Sequence, residues 1–237
     1  MSEEIFRRDS FAKSCEATIT AADDNGVQLS RTVFYPTGGG QPGDKGFLRF
    51  SDGRVLKIVD TRKLPKTGEQ VHVLEGGQTL PTVGEAVVGE IDWDVRYRLM
   101  RMHTCMHLLC AIIPEGVTGG SVGAEKSRLD FNLPDKIPVK EELTEELNRL
   151  IAEDHEVHVR SITDAELESQ LDLVRTMSVK PPMGVGTVRL IEIENVGLQP
   201  CGGTHVGFTG EIGKVRIAKI ENKGKQNRRI HIVFDEG

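Results

Sequence analysis

The chain has 237 residues, room for one or two domains of ordinary size. Hydrophobic residues at 38% supply a packed core and charged residues at 28% an ordinary soluble surface, while a net charge of −6 argues against indiscriminate coating of nucleic acid. The longest apolar run, Leu108 to Ile113, is far short of the about 20 residues a membrane span needs, and no apolar stretch follows Met1, Ser2 and the two glutamates to act as a signal peptide, so a cytoplasmic protein is expected.

The first ~90 residues read as all-β. Short alternating runs (Glu16 to Thr20, Val27 to Ser30, Gly46 to Phe50, Val55 to Val59, Val71 to Leu74, Ala86 to Ile91) are separated by turn chemistry. Asp24-Asn25-Gly26 and Ser51-Asp52-Gly53 provide residues that tolerate positive φ, as tight hairpins require. Strands this short and close together predict a small barrel. The pattern changes at Asp92-Trp93-Asp94, where either aspartate can cap a helix that runs to Ile113 and is stopped by Pro114. A second helix is predicted after Pro138, with Leu143, Leu147, Leu150 and Ile151 on one face, and a third from about Thr163, capped ahead of Glu166. Strands return at Thr187 to Glu194, Lys214 to Ile220 and Arg229 to Phe234. The expected fold class is α+β: a small N-terminal β-barrel over residues 1–91, then an α+β domain over 92–237.

Three of the seven histidines fall in two tight motifs. His103-Thr104-Cys105-Met106-His107 puts two imidazoles one turn apart on one helical face, where both can reach a single ion. Cys201-Gly202-Gly203-Thr204-His205 lets a thiol and an imidazole converge across a flexible diglycine. Three imidazoles and one thiolate suit Zn²⁺. Four protein ligands are also the mark of a structural zinc, so the donor count alone does not establish catalysis. The four cysteines have no paired spacing; Cys15, Cys105 and Cys110 read as small buried apolar residues with no disulfide partner. His72, His155, His158 and His231 lack such companions and read as surface or strand residues.

Two further segments draw notice. Tyr35-Pro36-Thr37-Gly38-Gly39-Gly40-Gln41-Pro42-Gly43-Asp44 is a dense glycine loop without the Lys-Ser/Thr ending of a nucleotide-binding loop. It is either a surface on which backbone approaches a ligand or a tight turn. Val117 to Gly123, followed by Ser127 to Phe131, is either a polar wall to the site or a loop into a strand. Near the C-terminus, Lys214, Arg216, Lys219, Lys223, Lys225, Arg228 and Arg229 surround one acid, Glu221. One basic edge on an acidic body suits an oriented phosphate contact, or serves as a charged strand edge.

With these motifs the chain resembles, over essentially its full length, the AlaX family, stand-alone relatives of the editing domain of alanyl-tRNA synthetase. The resemblance rests on RTVFYPTGGGQPGDKG (Arg31 to Gly46), HTCMHLL (His103 to Leu109), PCGGTHV (Pro200 to Val206) and the stretch from Thr209 to Arg229. Its layout resembles the medium-sized members, which carry both a barrel and an editing domain. The resemblance implies one Zn²⁺ per chain on His103, His107, Cys201 and His205. It implies hydrolysis of seryl-tRNA, and in some members glycyl-tRNA, charged on the alanine tRNA. It puts Thr37 in the role of reading the serine side chain, with Gly38, Gly39, Gly40 and Gln41 beside the substrate. Ser121 stands where related sequences commonly have glutamine, in a position that helps place water or substrate. Lys223, Lys225, Arg228 and Arg229 become candidate contacts to the tRNA, and a monomer is the default expectation. Two other functions compete: editing of seryl-tRNA of the threonine type, and a zinc-stabilised tRNA-binding module without catalysis.

Overall fold

The computed structural model describes residues 2–134, 138–163, 165, 166 and 186–236. The chain divides into two compact units, Met1–Tyr97 and Arg98–Gly237. In the first, β1 (Glu3–Glu4) is a short strand followed by β2 (Ser14–Asp23), β3 (Gly26–Leu29), β4 (Arg31–Thr32), β5 (Gly46–Phe50), β6 (Val55–Lys63), β7 (Gln70–Leu74) and β8 (Ala86–Ile91). Strands β2-β3-β7-β6-β5-β8 close into a barrel in that order, every pair antiparallel. The alternation that marks these strands in the sequence fills the barrel: Ala17, Ile19, Val27, Leu29, Leu48, Phe50, Leu56, Ile58, Val87 and Ile91 form one buried cluster with Val33 and Phe34. Closure removes the exposed strand edges that an open sheet of this size would present.

Two polar devices are buried with that core. His72 donates from Nδ1 to the Val27 carbonyl at 2.9 Å, because a carbonyl can only accept. Its Nε2 is thereby left as the acceptor for the Thr32 hydroxyl at 2.9 Å, and the Phe34 amide donates to that same hydroxyl at 3.1 Å. Arg96 and Asp44 form a fully buried ion pair. The Arg96 Nε lies 2.9 and 3.0 Å from the two carboxylate oxygens, and its other nitrogens donate to the Ser10 and Val33 carbonyls at 3.0 and 2.7 Å. Removing either partner would strand a buried charge, at a cost of about 3–5 kcal/mol.

Helix α1 (Trp93–Ile112) begins with the Val95 amide 3.3 Å from the Asp92 carboxylate, so Asp92 is the cap. Met102 to Cys110 are all buried, the polar His103, Thr104 and His107 among them. Strands β9 (Val117–Ser121) and β10 (Lys126–Asn132) follow, then α2 (Lys140–Ala152), β11 (Val157–Thr163), β12 (Thr187–Ile193), β13 (Gly197–Pro200), β14 (Val215–Asn222) and β15 (Asn227–Phe234). They make an antiparallel four-stranded sheet, β14-β15-β10-β9, and a three-stranded one, β11-β12-β13. Helix α2 buries Leu143, Leu147, Leu150 and Ile151. It is pinned to β14 by Asn148, whose amide group both donates to and accepts from Val215, at 2.8 and 3.0 Å.

The barrel, both fully described helices and the strands named in the sequence are present. Of the third helix, the reciprocal cap is visible: Glu166 accepts from the Thr163 amide at 2.7 Å, and the Glu166 amide donates to the Thr163 hydroxyl at 3.2 Å. The body of that helix lies outside the described residues. Val117 to Ser121, which the sequence leaves open between loop and wall, is an ordered strand, and β11 and β13 are strands that the sequence pattern does not announce. Cys15 is half-buried, whereas Cys105 and Cys110 are buried as expected.

Candidate metal centre

Helix periodicity brings His103 and His107 to one face of α1, with ring centroids 5.3 Å apart. The chain leaves β13 at Pro200 and turns Cys201 and His205 back toward them. His205 lies 4.4 Å from the His103 ring and 4.9 Å from the His107 ring, centre to centre. The Cys201 Sγ is 3.5 Å from His103 Nε2 and 3.3 Å from His205 Nε2. One ligand atom from each of the four residues lies within 4.8 Å of all the others. The diglycine does not bend through left-handed backbone, since neither Gly202 nor Gly203 has positive φ. Gly202 instead leaves open space, with nothing within 4 Å of where a Cβ would stand, and the Gly203 amide donates to Cys201 Sγ at 3.4 Å.

The electrostatics fit a cation. Burial, then the neighbouring His107 and the Arg189 charge, hold His103 well below the usual imidazole value. Burial, followed by His103, His107 and Arg189, does the same to His205. His107 is pushed down to about 4, chiefly by burial. All three imidazoles are therefore neutral at pH 7, the form that ligates a metal. Burial raises the Cys201 thiol, opposed by the Gly203 amide and Arg189; a bound divalent cation would favour the thiolate. Among the described residues, no hydrogen-bond partner reaches the buried His107 Nδ1. A tetrahedral zinc with bonds of about 2.0–2.3 Å spaces its ligand atoms about 3.3–3.8 Å apart. The two short Cys201 separations, 3.5 and 3.3 Å, already fall in that range. The residues present fit Zn²⁺.

Three neighbours hold the donors and carry no spacing signature in the sequence. Arg189 on β12 donates from Nη1 to the carbonyls of Cys201 and Gly203, at 2.8 and 2.9 Å, and so braces the loop between the thiol and His205. Gln199 donates to the His107 carbonyl at 3.0 Å. Thr104 Oγ1 lies 3.1 Å from His205 Nδ1.

Elsewhere, the structure defines the other candidates one by one. Gly38 and Gln41 pair as a miniature hairpin, each amide donating to the other's carbonyl at 3.0 and 2.9 Å. Gly39 and Gly40, at φ +55° and +81°, are its two-residue turn, a conformation that other L-residues adopt only with strain. Thr37 is exposed; its hydroxyl accepts from the Gly43 amide at 2.8 Å and lies 3.5 Å from Asp60 Oδ1. Gln41 is buried. Ser121 is half-buried at the end of β9, opposite Arg128 on β10.

Within the basic edge, the four candidate tRNA contacts divide in two. Lys223 and Lys225 are exposed at the β14–β15 hairpin. Arg228 is buried and donates to Asn222 Oδ1 at 3.0 Å and the Pro134 carbonyl at 3.2 Å. Arg229 grips Asp130 through two 2.7 Å hydrogen bonds. Both arginines thus have donors engaged within the protein.

Comparison with known proteins agrees with this geometry. The family described as "Threonyl and Alanyl tRNA synthetase second additional domain" matches residues 188–231, which include Cys201 and His205, and "tRNA synthetases class II (A)" matches residues 5–95. An alanyl-tRNA editing protein AlaX-M from Methanosarcina barkeri is 39% identical across 99% of both chains. The chain belongs to the AlaX family. The AlaX-M of Saccharolobus solfataricus is 34% identical across 98% of both chains. The alanine–tRNA ligase of Pyrobaculum neutrophilum is 38% identical across 92% of this chain, which corresponds to 25% of the ligase. This chain therefore aligns with AlaX-M proteins along their whole length and with about a quarter of the ligase.

Proposed function

We propose that this AlaX protein is a zinc-dependent aminoacyl-tRNA hydrolase that cleaves the ester of alanine tRNA mischarged with serine, and also that charged with glycine. The observation that carries the reading is the four-donor cluster of three buried histidines, His103, His107 and His205, with the half-buried Cys201, in a chain alike along its whole length to alanyl-tRNA editing proteins. A zinc ion held by these residues supplies Lewis acidity for an activated ester. The chain's own residues do the rest. Burial keeps the imidazoles neutral, and Arg189 adds a positive charge that favours an anionic transition state. Thr37 reads the serine hydroxyl, the loop of Gly38, Gly39, Gly40 and Gln41 borders the aminoacyl group, and Ser121 helps to place water or substrate. Lys223 and Lys225 meet tRNA phosphates; Arg228 and Arg229, committed to internal acceptors, support the hairpin that presents them.

Selectivity follows from hydrogen bonding. A polar site satisfied by serine is left unpaired against the alanine methyl, and such sites discriminate by about 10⁴–10⁵. The test is deacylation of alanine tRNA charged with serine, glycine or alanine, before and after metal removal by a chelator. Seryl-tRNA should be cleaved and alanyl-tRNA spared, with turnover lost on chelation and restored by zinc. Equal cleavage of alanyl-tRNA would overturn the specificity. A chain that binds tRNA but never cleaves it is instead a zinc-stabilised binding module, the use for which a four-protein-ligand site is best known.

A further inference from the structure

We propose that Thr104 is the positioning residue of the metal centre: its hydroxyl fixes which nitrogen of His205 is offered to the ion. The inference rests on the reading of the four-donor cluster as a metal site, and adds a group outside the donor set. Thr104 sits on α1 directly after His103 and is fully buried. Its Oγ1 is 3.1 Å from His205 Nδ1, while His205 Nε2 faces Cys201 Sγ at 3.3 Å. The amide of Val206, the residue after His205, also points to the Thr104 hydroxyl, at 3.4 Å. One side chain of the upstream motif therefore holds both the ring and the backbone of the last residue of the downstream motif.

The chemistry is directional. A ligating Nε2 has no proton, so the neutral ring carries its proton on Nδ1. That N–H needs an acceptor where water cannot reach, and Thr104 Oγ1 is within hydrogen-bond distance. Without it His205 would have to bury an unsatisfied N–H in order to ligate, or turn its ring and withdraw the donor nitrogen. Groups that accept the second imidazole proton of a metal ligand are commonly worth 10–100-fold in metal affinity. The position between two helical ligands explains how a threonine, a mediocre helix former, is accommodated in the buried part of α1: its oxygen accepts from the other half-site.

The experiment measures zinc affinity of the purified full chain by competition with a chromophoric chelator, for the wild type, Thr104→Val and Thr104→Ser. Thr104→Val keeps the shape and removes the hydroxyl, and it should weaken zinc binding by about 10–100-fold. Thr104→Ser keeps the hydroxyl and should recover most of that loss. Unchanged affinity in Thr104→Val, or equal loss in Thr104→Ser, would overturn the proposal. If the wild type itself binds no zinc, the reading of the cluster fails first, and the two failures are thus distinguishable. Should Thr104→Val not fold, long-range ¹H–¹⁵N correlation spectra of the zinc-loaded wild type decide. They should show His205 protonated at Nδ1 and metal-bound at Nε2; the reverse assignment would sink the idea.

Discussion

Thr37 already uses its hydroxyl before any substrate arrives. The oxygen accepts the Gly43 amide at 2.8 Å, and Asp60 Oδ1, the nearest acceptor for its proton, is 3.5 Å away. The longer of these is too stretched to be a strong hydrogen bond, so the hydroxyl proton is only weakly held within the loop. A Cβ on Gly43 would come within 2.0 Å of the Thr61 carbonyl, so position 43 has no room for a side chain. Thr37→Val therefore has two effects that substrate choice separates. Without the hydrogen bond from Gly43 the loop loosens, which slows every ester alike. Without the hydrogen bond to serine, seryl-tRNA alone suffers, by about threefold to tenfold for an interaction of about 0.5–1.5 kcal/mol. Glycine has no side chain to reach the hydroxyl, so the ratio of seryl to glycyl deacylation rates should fall by that factor. An unchanged ratio would restrict Thr37 to bracing the loop.

At the scale of the element, the β14–β15 hairpin separates two kinds of basic residue that look alike in sequence. Lys223 and Lys225 are exposed at its tip, and Arg228 and Arg229 are anchored beneath it. Replacing both lysines with glutamine should weaken tRNA binding and reduce its log–log salt slope by about 1.5, roughly 0.7–0.9 for each phosphate that is no longer neutralised, with the melting temperature unchanged. Arg228→Gln should instead lower the melting temperature, because it leaves the Asn222 and Pro134 acceptors without their donor. If the lysine pair leaves the salt slope untouched, the hairpin tip is only a charged strand end. The hairpin also shows where sequence reading stops. Regular alternation and turn residues make the barrel strands legible, and one-turn spacing makes His103 and His107 legible. Burial of a single arginine has no such signature. Strand β11 escapes sequence reading because its alternation at Val157 and Val159 breaks at Ser161 and most of its residues are exposed, and β9 because Gly119 and Gly120 read as loop. Thr104, Arg189 and Gln199 are invisible for a related reason: each acts through a residue distant in sequence, and nothing in its own neighbourhood announces the partner.

Over the whole molecule the net charge is −6, so attraction for an anionic partner has to come from local basic groups. The same chain commits itself to neutral buried histidines, and that sets its response to acid. His72 lies inside the barrel with its pKa lowered from 6.5 to about 4, because burial penalises the charged ring. In the unfolded chain it titrates normally, so between these two values the unfolded state binds a proton that the native state does not. Stability is then fully present above pH 6.5 and is lost as the pH falls toward 4, at about 1.4 kcal/mol per unit. From about pH 7 to about pH 5 this one residue should cost about 2 kcal/mol. Urea unfolding of the zinc-loaded protein at the two pH values measures the total, to which the cluster histidines also contribute as the metal is displaced. The His72 share is isolated by His72→Gln, whose amide can still donate to the Val27 carbonyl and accept from the Thr32 hydroxyl but cannot titrate. The variant should be less stable at neutral pH yet lose about 2 kcal/mol less than the wild type on acidification. Parallel losses in the two proteins would mean that His72 accepts a proton in the folded barrel as readily as in the unfolded chain, contrary to its closed hydrogen-bonded environment.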